Sequence, residues 1–159
     1  MKIRNLIAVL AWSLAAATAA AEFQTLDRAA AARIVNPASH TVPTIVALWS
    51  SECVHCKKNL KLFSEMAKAD SRFRLVTVAV EPQFAGLADP LNLLSVPGQR
   101  FAYGAESPEA LGYALDPKWR GELPRTIFFD GKGGKSALSG VVTEATVRSA
   151  LGLQTNPQE

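Results

Sequence analysis

"VPTIVALWSSECVHCKKNL", residues 42–60, changes character at its centre. As far as Trp49 it is almost wholly apolar, β-rich and uncharged, the composition of a strand buried on both faces. From Val54 the period changes. Cys56, Leu60, Phe63 and Met66 recur at steps of four, three and three, while Lys57, Lys58, Lys61 and Glu65 take the other faces. This pattern predicts an amphipathic helix with Cys53 at its mouth and Cys56 on its apolar stripe. The chain has 2 cysteines in all, and both stand in this stretch, with His55 beside the second.

What such a pair is for can be argued by elimination. Attachment of a c-type haem needs a histidine directly after the second cysteine, and Lys57 stands there. A structural zinc site wants four ligands, and besides the cysteines the chain has 2 histidines, His40 and His55, the latter inside the loop itself. A disulfide acting as a staple would close a loop too short to restrict the unfolded chain much. A redox dithiol fits best, with a metal site and a structural disulfide as the lesser readings. A strand that enters a helix through C-x-x-C brings the two sulfurs within bonding reach. It also sets Cys53 against free backbone N–H groups and the positive end of the helix dipole, which favour a thiolate. Cys53 is then the nucleophile, and Cys56, one turn inside, resolves the mixed disulfide.

The compartment agrees with this chemistry. "MKIRNLIAVLAWSLAAATAAAEF" opens with Lys2 and Arg4, continues uncharged from Leu6 and ends in Ala19-Ala20-Ala21 before Glu22. That is the layout of a cleaved secretory signal over residues 1–21, with an uncleaved membrane anchor the alternative. The run is short and alanine-rich for a span, which needs about 20 apolar residues. Of the 17 basic residues, two fall in this leader, leaving 15 against 14 acidic ones. No basic run with interleaved aromatics remains, which argues against nucleic-acid binding. Export delivers the chain to an oxidising space such as the bacterial periplasm, where disulfides persist. Hydrophobic residues make up 48% of the 159, an ordinary globular level, and neither a repeat nor a linker divides residues 22–159.

Along that single domain, "TLDRAAAARIVN" reads as a short helix ended by Asn36-Pro37. "RFRLVTVAV" reads as a second buried strand, closed by Glu81-Pro82. "LADPLNLLSVPG" suggests a short helix broken by Pro90, and "RFAYG" a strand. "SPEALGYAL" is a helix with Ser107 as N-cap and Pro108 at its first position. "DPKWRGELP" is loop, "RTIFFD" a strand, "GKGG" a turn and "SALSGVV" the returning strand. Thr143 caps a last helix whose Val147, Ala150 and Leu151 face inward. Strand–helix–strand units followed by a hairpin and a helix predict an α/β fold, its mixed parallel and antiparallel sheet covered by helices on both faces.

Strand–"WSSECVHC"–helix, then "GELPRTIFFDGKGG", then a strand ending in Gly140 and a last helix, resembles a thioredoxin-like fold. More narrowly, residues 42–153 are similar to secreted TlpA-type thiol–disulfide oxidoreductases, with the "RFAYG" strand and following helix in the place of that family's insertion. The resemblance implies a cofactor-free, metal-free reductase of client protein disulfides, re-reduced by a membrane electron donor. A disulfide oxidant or isomerase, or a binding module without turnover, would keep the same fold. It implies a Cys53–Cys56 disulfide in the oxidised state and a cis bond before Pro124. Leu123, Pro124 and Trp49 would form the substrate site, with Trp119 and Arg120 as candidates for its rim. Two departures from the pattern matter. Where thioredoxin keeps a buried acid six residues before the first cysteine, this chain has Ala47, leaving Glu52 and Glu81 as the nearby carboxylates. The residue before the first cysteine is commonly aromatic and here is Glu52, whose charge opposes the helix dipole. His55 is assigned the opposite effect, steadying the Cys53 thiolate.

Overall fold

The computed structural model describes residues 22–153, so the leader expected over residues 1–21 lies outside it. Six strands form one sheet: β1 (Gln24–Leu26), β2 (Thr44–Trp49), β3 (Arg74–Pro82), β4 (Gln99–Tyr103), β5 (Arg125–Phe129) and β6 (Lys135–Ser139). Their order across the sheet is β1-β4-β3-β2-β5-β6. The first four in that order are mutually parallel, while β5 and β6 run antiparallel to their neighbours. Five α-helices connect them: α1 (Arg28–Ile34), α2 (Val54–Ala69), α3 (Asp89–Leu93), α4 (Pro108–Leu115) and α5 (Glu144–Ala150). The mixed α/β sheet expected from the order of elements is present.

Every residue of β2 is buried, and its side chains alternate between two cores as the strand period requires. Ile45, Ala47 and Trp49 meet Cys56, Leu60 and Phe63 of α2, Leu91 of α3 and Val147 of α5. Val46 and Leu48 face the other way, onto Ala30 and Ala31 of α1 and Leu111 and Leu115 of α4. Both faces of the central strand are therefore dry, which explains its unbroken apolar run.

Four local readings need correction. Thr25 and Leu26 belong to β1, and the first helix begins only at Arg28, capped by Asp27, whose carboxylate accepts the Ala30 amide. Pro90 does not break α3 but sits in its first turn, where a missing N–H costs nothing. β3 continues through Pro82, with an irregular register between Ala79 and Pro82. β6 stops at Ser139 because Gly140 turns at φ 92°, so Val141 and Val142 form a link to α5. Gly98 admits β4 beside β3: a Cβ there would lie 1.9 Å from the Leu75 carbonyl oxygen.

Candidate active site

Cys53 ends the loop after β2 and caps α2, with its sulfur accepting the Cys56 amide at 3.1 Å. The two cysteines are joined in a disulfide, S–S 2.05 Å and Cα–Cα 5.2 Å. Their environments differ sharply. Cys56 is 1% exposed, in the core with Ala47, Trp49 and Leu60, whereas Cys53 is half-buried beside the exposed Val54 and His55. The first turn of α2 carries no acidic residue, so its N–H groups and dipole are free to favour negative charge on the Cys53 sulfur. Around Cys56 the walls are apolar, which disfavours a thiolate there. Ala47, 4% exposed on that same face, supplies no carboxylate.

The loop before the cysteines is tethered from the side. Glu81, half-buried near the end of β3, accepts the Ser51 amide at 2.5 Å and the Ser51 hydroxyl at 3.3 Å. The sequence offered an acid at a strand end. Nothing in it marked Ser51, thirty residues earlier, as its partner. Glu52 is exposed and has no such tether.

On the other side stands the loop that enters β5. The bond between Leu123 and Pro124 is cis, as the resemblance implied. Leu48 pairs with Arg125, so Pro124 arrives at the end of β2, where Trp49 leads into the cysteine loop. Pro124 is buried and its carbonyl accepts the Gly140 amide at 2.8 Å, while Leu123 packs against both cores. Trp49 is 1% exposed, so it is a core residue beneath the site rather than a surface for substrate. His40 lies away from the cysteines, stacked on Phe129 with its ring nitrogen 2.9 Å from the Ile34 carbonyl oxygen.

A polar clamp that sequence reading missed holds the proline loop. Arg125 meets Asp116 at 2.6 Å and Ser139 at 2.9 Å, and the Ser139 hydroxyl donates to Glu122 at 2.6 Å. Trp119 donates its indole N–H to the Glu122 carbonyl at 2.7 Å, and the Arg120 amide donates to the Glu122 carboxylate at 3.1 Å. Burial pushes the Asp116 carboxyl up, but the Arg125 side chain, the Lys118 amide and the charges of Arg125 and Lys135 together outweigh it and hold the group below its ordinary range. Glu122 is also held low, chiefly by the Ser139 hydroxyl. Among the described residues no three histidines, cysteines or acids gather as a metal site would require.

A scan against protein-family models finds no match, and a search of curated proteins finds none. Solved structures do match. One is a secreted Mycobacterium tuberculosis disulfide oxidoreductase homologous to E. coli DsbE, at TM-score 0.58 and 11% identity over 72% of this chain and 84% of that one. Another is a thiol:disulfide interchange protein of Chlorobium tepidum, at TM-score 0.57 and 20% identity, covering 70% and 81%. A third is a thioredoxin-related protein of Neisseria meningitidis, at TM-score 0.56 and 22% identity, covering 71% and 84%. This chain has the thioredoxin fold. In it, the strand-to-helix turn with the cysteines and the cis-proline turn meet at the ends of adjacent antiparallel strands.

Proposed function

We propose that this protein is a periplasmic thiol–disulfide oxidoreductase that reduces disulfides of client proteins. The observation that carries the reading is the asymmetry of the pair: Cys53 is accessible at the N-terminus of α2, and Cys56 is sealed one turn inside. In the reduced state the Cys53 thiolate attacks one client sulfur, forming a mixed disulfide and releasing the other client sulfur as a thiolate. The Cys56 thiol then gives up its proton and attacks the Cys53 sulfur, releasing the client dithiol. Two electrons pass to the client, and the domain is left as the Cys53–Cys56 disulfide. The loop at Leu123 and Pro124 borders the attacked sulfur and offers backbone to an extended client segment. A membrane-bound dithiol donor restores the reduced form. The leader over residues 1–21 and the secreted relative support export. Among the described residues no helix is long and apolar enough to cross a membrane.

Alkylation of the reduced protein against pH tests the assignment. Cys53 is expected to react first, with a pKa below the free-thiol value of about 8.5. Cys56→Ser should accumulate client mixed disulfides and Cys53→Ser should form none. Faster labelling of Cys56 would reverse the roles. Equilibration against glutathione decides direction: a potential near the thioredoxin end of the range from about −270 to −120 mV supports a reductase, and one near the other end an oxidant.

A further inference from the structure

Beside the proline loop lies a cavity of about 460 Å³ that the redox chemistry does not use. Val80, Gly112, Tyr113, Trp119 and Arg120 surround it, and Tyr103 reaches it from the end of β4. Val80 precedes Glu81, the anchor of the cysteine loop, and Trp119 and Arg120 bond to Glu122 beside Leu123 and Pro124. The cavity thus lies at the carboxyl ends of β3 and β4, on the α4 face of the sheet, and runs along Trp119, Arg120 and Gly121 of the loop that leads to Pro124.

Its chemistry is specific. Tyr103 is 5% exposed, yet among the described residues its hydroxyl has no hydrogen-bond partner. A buried tyrosine hydroxyl normally finds one, and leaving it unpaired costs free energy. Burial also holds that hydroxyl protonated, its pKa pushed up to about 12, so it remains able to donate. Tyr113, 69% exposed, and the fixed ring of Trp119 add aromatic faces. A cavity with ring-bearing walls and one unanswered polar group at a buried point fits a large planar side chain with a polar tip.

We propose that this cavity reads the client: it receives a tyrosine or tryptophan side chain close in sequence to the client's reacting cysteine, whose polar tip pairs with the Tyr103 hydroxyl. The proposal rests on the thiol–disulfide reading of the Cys53 site and adds a preference among clients. Continuity with the proline loop favours a polypeptide occupant, since an extended segment crossing Pro124 can place a neighbouring side chain here.

The test uses the reduced full-length protein and short synthetic peptides, each with one cysteine held as a mixed disulfide with thionitrobenzoate, whose release is coloured. Tyrosine, phenylalanine, leucine or alanine is placed in turn at each position flanking that cysteine. At one position tyrosine should react roughly tenfold faster than alanine, with phenylalanine between them. Tyr103→Phe should erase the advantage of tyrosine over phenylalanine and keep that of phenylalanine over alanine. Gly112→Ala should reduce both, because its Cβ would stand 3.3 Å from the Trp119 ring and 3.8 Å from the Tyr103 hydroxyl. The melting temperature of Tyr103→Phe should not fall, since the deleted hydroxyl has no partner to lose. Equal rates for all side chains, or leucine ahead of tyrosine, would overturn the proposal while leaving the redox reading intact. A lower melting temperature for Tyr103→Phe would give the hydroxyl an internal role and overturn it too. Failure of every peptide to exchange would remove the redox reading and this one together.

Discussion

The Glu81 carboxylate accepts both the amide and the hydroxyl of Ser51, so the end of β3 carries the loop that leads into Cys53. Position and charge are separable here. Glu81→Gln keeps acceptor and donor atoms for Ser51 but removes a negative charge near the cysteines. It should lower the Cys53 pKa by less than one unit and raise the potential by up to roughly 30 mV. Glu81→Ala frees the loop, and should slow thiol exchange at every pH. Thiolate absorbance and a glutathione titration of both variants read these effects.

His55 and Glu52 flank the pair from the solvent side, both exposed. His55→Leu should raise the Cys53 pKa and make the domain more reducing, and Glu52→Gln should do the opposite. Water screens exposed charges, so each shift should stay within about 30 mV. An unchanged potential in His55→Leu would leave the histidine without a part in tuning.

Asn59 is 2% exposed and bridges α2 to the link after β6. Its side-chain amide donates to the Gly140 carbonyl at 3.0 Å, and its oxygen accepts the Val142 amide at 3.1 Å. Asn59→Ala leaves two backbone groups without partners and should cost about 2–4 kcal/mol in urea unfolding. Asn59→Leu, of the same branching but larger, should not rescue it, because it too leaves both backbone groups without partners.

The Asp116–Arg125 pair is 9% and 13% exposed at its side chains and supports the proline loop. Because the folded pKa of Asp116 is lowered, its contribution is complete above the unfolded value of about 3.9. It is lost as pH falls through the folded pKa. Asp116→Asn should therefore lower stability at neutral pH by roughly 3 kcal/mol and flatten the acid limb of the unfolding profile. Chemical denaturation of both proteins from pH 7 down to 3 measures the difference.

The stripe from Cys56 to Met66 and the run Ile45–Trp49 are legible because burial is their dominant constraint, and burial leaves a period. β1 is not legible: two of its three residues are exposed, and its existence depends on pairing with β4, far along the chain. The alanines after it carry helix propensity and draw the apparent start of α1 backwards. The cysteines show in the sequence because their spacing is itself the chemistry. Glu81 with Ser51 and Asp116 with Arg125 do not, because a polar pair joined across the fold leaves no local pattern.

β4 lies between β1 and β3, with Gln24 opposite Phe101 and Leu26 opposite Tyr103. Among the described residues β1 has no other neighbour in the sheet, so this first strand cannot be placed until its partner has been made. At a synthesis rate of about 5–20 residues per second, that wait is roughly 4–15 s. Throughout it Phe23 and Leu26, buried in the finished domain, stay available to solvent or to a chaperone. The order of strands thus doubles as a timer, holding the first strand unpaired until the fourth has been made.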